Sequence, residues 1–266
     1  MNQDNFEYLK KQVKYSGFGD ALEFALQDAM EKGAETFDLK HKAEFGKDEA
    51  RATLHFKKSE QGTYFFNSYD MELSKAGKDD LKQTFYINRP VLATTDNGTE
   101  KQWVNSTLTF KEAYNLMEGR SVLKDLVNKE KEAYTSWVSL DFKNTDKHGN
   151  YELRQKGDYD LSAKLDTLPI KGLDNPDTKK QIIESLQKGN LHPVIMVHNG
   201  MEAGRTIAAN PQFKGINVFE GSMRINTTET QKAAEGTKRT QKNDVKAEDD
   251  ESGGSKQKRK QSRRIA

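Results

Sequence analysis

From Thr36 to Asn88 the sequence alternates apolar and polar residues through four successive runs: FDLKHKAEF, ARATLHFKK, YFFNSYDMEL and LKQTFYIN. A period of two places every second side chain on one face of an extended strand, and no helix keeps such a set on one side. Turn signals separate the runs at Gly46-Lys47, Gln61-Gly62 and Gly77-Lys78. The pattern demands an antiparallel meander with one buried face, and the rest of the chain must supply what covers it.

Two helices are expected ahead of the meander, from Asp4 to about Lys32, joined near Ser16-Gly17. Phe6, Leu9 and Val13 mark one apolar face, and Leu22, Ala25, Leu26, Ala29 and Met30 another. Asp4 and Asp20 each precede a glutamate by three residues, a carboxylate variant of the capping box, and Gly33 suits the stop. Residues 89–108 add a hairpin, VLATT and TEKQWVN around Asp96-Asn97-Gly98. Thr109 and Glu112 form a capping box for an apolar stripe of Phe110, Ala113, Tyr114 and Met117, which ends at Gly119. AYTSWVSLDFK and NYELRQ read as strands around His148-Gly149-Asn150.

Asn175-Pro176 starts a helix with Ile182, Ile183 and Leu186 inward and Gly189 at its end. HPVIMVH, EAGRTIAA and GINVF then form a three-stranded meander. The corner within it, AANPQFKGINVFEG (208–221), has Asn210 capping a turn that begins at Pro211 and Phe213 folding back onto the core; a ligand loop is the alternative. An internal echo, Leu54 to Asp70 against Leu140 to Asp160, is either a duplicated hairpin or two hairpins obeying one alternation, the second being preferred.

The fold class is therefore α+β: antiparallel sheets with helices on one face. Two lobes are expected, residues 1–105 and 106–226, followed by a tail, 227–266. The tail has only Val245 and Ile265 as branched aliphatics and no aromatic residue. It cannot bury enough apolar surface to offset its ordering entropy and reads as disordered. It carries eleven Lys/Arg against seven Asp/Glu, whereas the preceding 226 residues carry 32 against 34. Any electrostatic attraction to nucleic acid thus resides in Lys256, Lys258, Arg259, Lys260, Arg263 and Arg264. These six form either a flexible arm that touches phosphates without reading sequence or a merely solubilising end. No aromatics interleave with them, so base stacking by the tail is not expected.

No cysteine is present, which removes disulfides and thiolate metal sites. MNQDNFEYLKKQVKY has no apolar stretch of signal-peptide kind, and no run approaches the roughly 18 apolar residues of a membrane span. A cytoplasmic protein without a membrane contact is expected. The P-loop, dinucleotide, nucleophile-elbow and zinc-helix patterns are all missing from the sequence. The five histidines are scattered; His192 and His198 lie about 20 Å apart at strand rise, too far to share a metal. His55 and Asp141 hold equivalent places in the echoing hairpins and would meet only if those hairpins paired. No enzyme activity and no cofactor is expected. Among aromatics, Phe65, Phe66 and Trp103 are candidates for an interaction surface, since alternation turns one of Phe65 and Phe66 away from the core.

The segments LTFKEAYNLMEGRSVLKDLVNKEKEAYTSWVSLDF (108–142) and SLQKGNLHPVIMVHNGMEAGRTIAANPQFKGINVF (185–219), with NFEYLKKQVKYSGFG near the start, resemble uncharacterised proteins carried on conjugative transposons and related mobile elements of Gram-negative gut anaerobes. The resemblance runs through most of residues 1–226 and brings no catalytic residue, because the family has no assigned activity. It implies company among DNA-transfer genes, with residues 89–106 an insertion. The expected function is a non-enzymatic accessory protein that binds DNA or RNA weakly through the tail and an unidentified protein partner through the body. A protein-interaction or inhibitor module is the alternative, and an enzyme of unrecognised type comes third.

Overall fold

A computed structural model describes residues 1–225 except 96, 97 and 99. The basic residues between Lys256 and Arg264 lie outside the described residues. The alternating runs form a four-stranded antiparallel sheet in chain order: β1 (Thr36–Phe45), β2 (Asp48–Lys58), β3 (Tyr64–Ser74) and β4 (Leu81–Tyr86). Its inner face buries Leu39, Leu54, Phe56, Phe66, Tyr69, Met71, Leu73 and Phe85. A register shift between His55 and Phe56 pairs Phe56 with Phe66 and keeps both inward.

Helices α1 (Gln3–Val13) and α2 (Glu23–Lys32) cover that face, joined by a π-helical turn, Lys14–Phe18. The expected caps are corrected here. Asn2, not Asp4, caps α1 by accepting from Asn5 N at 3.0 Å. Asp20 pairs with Lys14, and α2 starts after Leu22 without a side-chain cap. The wide turn needs Gly17 at φ 93°, where an added Cβ would sit 3.2 Å from Phe110 N. Asn5 docks α1 on β3 as a strand would, donating to the Tyr64 carbonyl and accepting from Tyr64 N.

The second half holds β5 (Val91–Thr94), β6 (Lys101–Val104), α3 (Phe110–Met117), β7 (Val122–Val127), β8 (Ala133–Thr145), β9 (Tyr151–Lys156), α4 (Leu161–Leu165), α5 (Pro176–Gln187) and the strands β10 (His192–His198), β11 (Met201–Asn210), β12 (Gly215–Glu220) and β13 (Met223–Ile225). Sheets run β5-β6, β7-β8-β9 and β10-β11-β12-β13, every strand pair antiparallel. The last sheet has four strands rather than three, and β7 and α4 are additions to the expected elements. The Thr109/Glu112 capping box is formed in both directions, and Asn175 caps α5 with Pro176 at its start.

Residues 1–225 make one compact unit with two main cores. The cores adjoin within β8, where Trp137 belongs to one and Val138 to the other, and α3 carries Phe110, Leu116 and Met117 into the first core. The corner at 208–221 is a 3-10 turn, Pro211–Phe213, between β11 and β12. Two expectations fail there. Asn210 caps nothing and donates to Asn217 Oδ1, and Phe213 is 71% exposed because buried Pro211 takes the place facing the core.

Candidate interaction surface

The β5–β6 hairpin has two unlike faces. Ala93 and Val104 turn inward and make a small third core with Ala133 and Val127. The backbone N–H of Thr94 donates to the Lys131 carbonyl, tying the hairpin to the β7–β8 turn. At the stem, Thr107 Oγ1 accepts from Asn88 N and donates to Asn88 O. Cross-strand pairing sets Leu92 opposite Trp103, on the face away from that core. Trp103 is 71% exposed and Leu92 42%. An indole lying in water beside a leucine leaves a large apolar area uncovered, on a support that is fixed on its other side.

The other two surface candidates separate. Phe66 is 3% exposed, stacked on Phe56 at 5.0 Å, and is no surface residue. Phe65 lies half-buried on the outer face, with the Arg89 guanidinium 4.6 Å above its ring. Arg89 lies two residues before β5, so Phe65 and Arg89 stand at the foot of the hairpin. Alternation alone chose neither member of the Phe65-Phe66 pair; the β2–β3 register does.

The polar outer face of the first sheet carries a network of charged groups. His55 has Asp38 at Nδ1 (2.8 Å) and Asp70 at Nε2 (3.0 Å), while Thr84 Oγ1 donates to the second Asp70 oxygen (2.7 Å). Burial pulls the imidazole down, but the two carboxylates outweigh it and raise its pKa. Both nitrogens are engaged by carboxylates, an arrangement that favours the protonated, bridging form of His55. The carboxylates sit at opposite ends of the ring and cannot converge on an ion. Among the described residues no group of three or more His, Asp or Glu is placed to hold a metal. Asp141 stands in another sheet, bonded to Arg154 and Asn144, so the two echoing hairpins do not bring it to His55.

A polar cleft of about 320 Å³ lies beside Asp70, where the β8–β9 turn meets β4. Thr84 N donates to Asn150 Oδ1 and Tyr151 N to Gln83 Oε1, so the turn covers the edge of β4. Arg51 and Lys82 in this cleft are both already paired with Glu72.

The residues around Glu118-Gly119-Arg120 and Lys188-Gly189-Asn190 do structural work. Arg120 donates from Nε to the Gly189 carbonyl (2.8 Å) and from Nη2 to Asn115 Oδ1 (2.6 Å). Asn115 Nδ2 donates to Lys188 O and Asn190 Oδ1. The EGR of 118–120 and the KGN of 188–190 thus latch α3 to the end of α5, between the two cores. Gly189, at φ 74°, leaves room for this: an added Cβ would meet Ser121 O at 2.9 Å. The enclosed Glu118 carboxylate is held by Lys75 and Arg120, although its Oε1 has no aligned hydrogen bond. Burial, the Glu118 charge and the bond to Asp48 push the Tyr114 phenol up to about 12.

No helix among the described residues is long and apolar enough to cross a membrane. No family model matches the chain, and neither a curated protein nor a solved structure matches it.

Proposed function

We propose that this is a non-catalytic binding protein: its folded body docks a protein partner on the β5–β6 hairpin, and its basic C-terminal segment makes weak, sequence-independent contacts with nucleic acid. The observation that carries the reading is the Leu92–Trp103 pair, exposed on one face of a hairpin whose other face is packed. Tryptophan in such a setting is the residue type that most often dominates a protein interface. The charge balance supports the division of labour, since the body is close to neutral and the excess of Lys and Arg lies beyond residue 226. The resemblance to proteins of conjugative elements supports an accessory role among DNA-transfer genes and a cytoplasmic setting.

Affinity capture from the producing cells, run in parallel with the natural chain and with Trp103→Ala, tests the body's part. A partner enriched by the first and reduced at least about tenfold with the second is expected, the loss of a hot-spot side chain being worth 2 kcal/mol or more. Equal recovery by both chains would remove the hairpin from the interface.

A further inference from the structure

The second core is not closed everywhere. Leu123, Tyr159 and Ile183 remain half-buried beside Trp137 and line a cleft of about 340 Å³ between the β7–β8 surface and helices α4 and α5. Leu123 and Trp137 are cross-strand partners, and the Tyr159 ring meets Trp137 at 5.4 Å in an edge-on contact. The Tyr159 hydroxyl is committed to the Gly215 carbonyl. Trp137 is 3% exposed, yet its indole N–H donates to nothing among the described residues. Trp137 is one of the residues that line this cleft. Buried donors are nearly always partnered, so an unpaired indole N–H on a residue that lines a cleft calls for an acceptor.

The polar lining narrows what can enter. Asp160 spends Oδ1 on the Ala163 N–H at the start of α4 and leaves Oδ2 without a partner among the described residues. Gln187 and Ser162 add groups that both donate and accept. One carboxylate and no Lys or Arg line the cleft, which disfavours any anionic group inside it. Its volume, at the lower end of ligand sites, suits one small ring system.

We propose that this cleft binds a planar nitrogen heterocycle of the nucleobase kind. The ring lies against Leu123, Tyr159 and Ile183, a ring or carbonyl acceptor takes the Trp137 N–H, and an exocyclic amine donates to Asp160. The same chemistry is offered by a free nucleoside and by an unstacked base of a single strand, whose phosphates would stay outside. No residue of the Trp103 hairpin lines the cleft and its chemistry does not call on the basic tail, so its fate does not decide theirs.

The full chain with Trp103→Phe keeps Trp137 as its single tryptophan, and its emission reports the cleft. Titration with adenosine and cytidine should give a saturable change, with uridine, which lacks the amine, at least about fivefold weaker, as one lost hydrogen bond implies. In the natural chain, calorimetry should show about fivefold weaker adenosine binding for Asp160→Asn, which preserves the helix cap, and for Trp137→Phe, which preserves the packed ring. Asp160→Asn should unfold at nearly the temperature of the natural chain, and Trp137→Phe, which leaves a small cavity in the second core, should lose a few degrees yet unfold in one cooperative step. A single-stranded oligonucleotide in about 0.5 M salt, where tail contacts are screened, separates the sources. Binding of nucleoside alone assigns a free-ligand site, and tighter oligonucleotide binding that moves Trp137 emission assigns a strand's base. No saturable change with any probe, or adenosine binding unaltered in both variants, would overturn the proposal.

Discussion

Replacing Arg120 by methionine should remove about 2–5 kcal/mol of stability. The guanidinium makes two well-formed hydrogen bonds, to Gly189 O at 2.8 Å and Asn115 Oδ1 at 2.6 Å, and a longer ionic contact with Glu118 at 3.7 Å. Its side chain is 13% exposed, so water replaces little of what is lost. Hydrogen bonds made by charged groups contribute about 1.5–3 kcal/mol each, which sets the loss of two at about 3–6 kcal/mol. The methionine stem keeps most of the apolar packing and returns about 1 kcal/mol. The remaining cost includes Glu118, left with Lys75 alone in an enclosed site. Urea denaturation followed by circular dichroism gives the change from the midpoint at an unchanged slope. The double variant with Glu118→Gln should be less destabilised than the sum of the singles by at least about 1 kcal/mol, because the two groups interact directly. A loss below about 1 kcal/mol for Arg120→Met would mean that the latch does not hold the cores together.

Gly189→Ala should cost about 2–4 kcal/mol in the same assay, because the new Cβ meets Ser121 O at 2.9 Å at a positive φ; a change within about 0.5 kcal/mol would contradict the close approach. Two histidines respond to pH in opposite senses. His55 is raised in the fold, so its contribution is present below the unfolded value near 6.5 and lost as pH rises through the folded pKa. His41, lowered by burial against Phe18 and Phe110, contributes above that value, and this is lost as pH falls through its folded pKa. His55→Gln should therefore destabilise more at about pH 6 than at about pH 8, and His41→Leu should improve relative to the natural chain between about pH 7 and pH 5. Denaturant midpoints across that range check both, and parallel pH profiles of variants and natural chain would refute the assignment.

The parts of the fold legible in the sequence were those with a local signature. Alternation placed β1 to β4, and Thr109 with Glu112 and Asn175 with Pro176 fixed two helix starts through hydrogen bonds made within a few residues. β7 escaped because VLKDLV does not alternate, with buried Val122 and exposed Asp125 separated by two half-buried residues, and α4 because five residues are too short to show a helical period. Asn2 outcompetes Asp4 as a cap through the wider context of the first turn, which spacing of Asp and Glu does not encode. The apolar character of Phe213 suggests an inward place, but Pro211 fills that space first. The exposure of Trp103 depends on Ala93 and Val104 taking the packed face against Ala133, a residue 29 positions further on. The cleft at Trp137 is assembled from residues 123–187 and has no sequence signature.

The division between body and tail is tested most directly by fluorescence anisotropy of a labelled duplex DNA. Three chains are compared at two salt concentrations: the natural protein, the chain ended at Ile225, and Trp103→Ala. The natural protein should bind with Kd of about 10⁻⁴ to 10⁻⁶ M, whatever the DNA sequence, and with a slope of log K against log salt no steeper than about −5, the limit for six charges. Trp103→Ala should bind equally well, and the shortened chain should not bind. DNA binding by the shortened chain at the strength of the natural one would place the nucleic-acid site in the fold and contradict the tail's role.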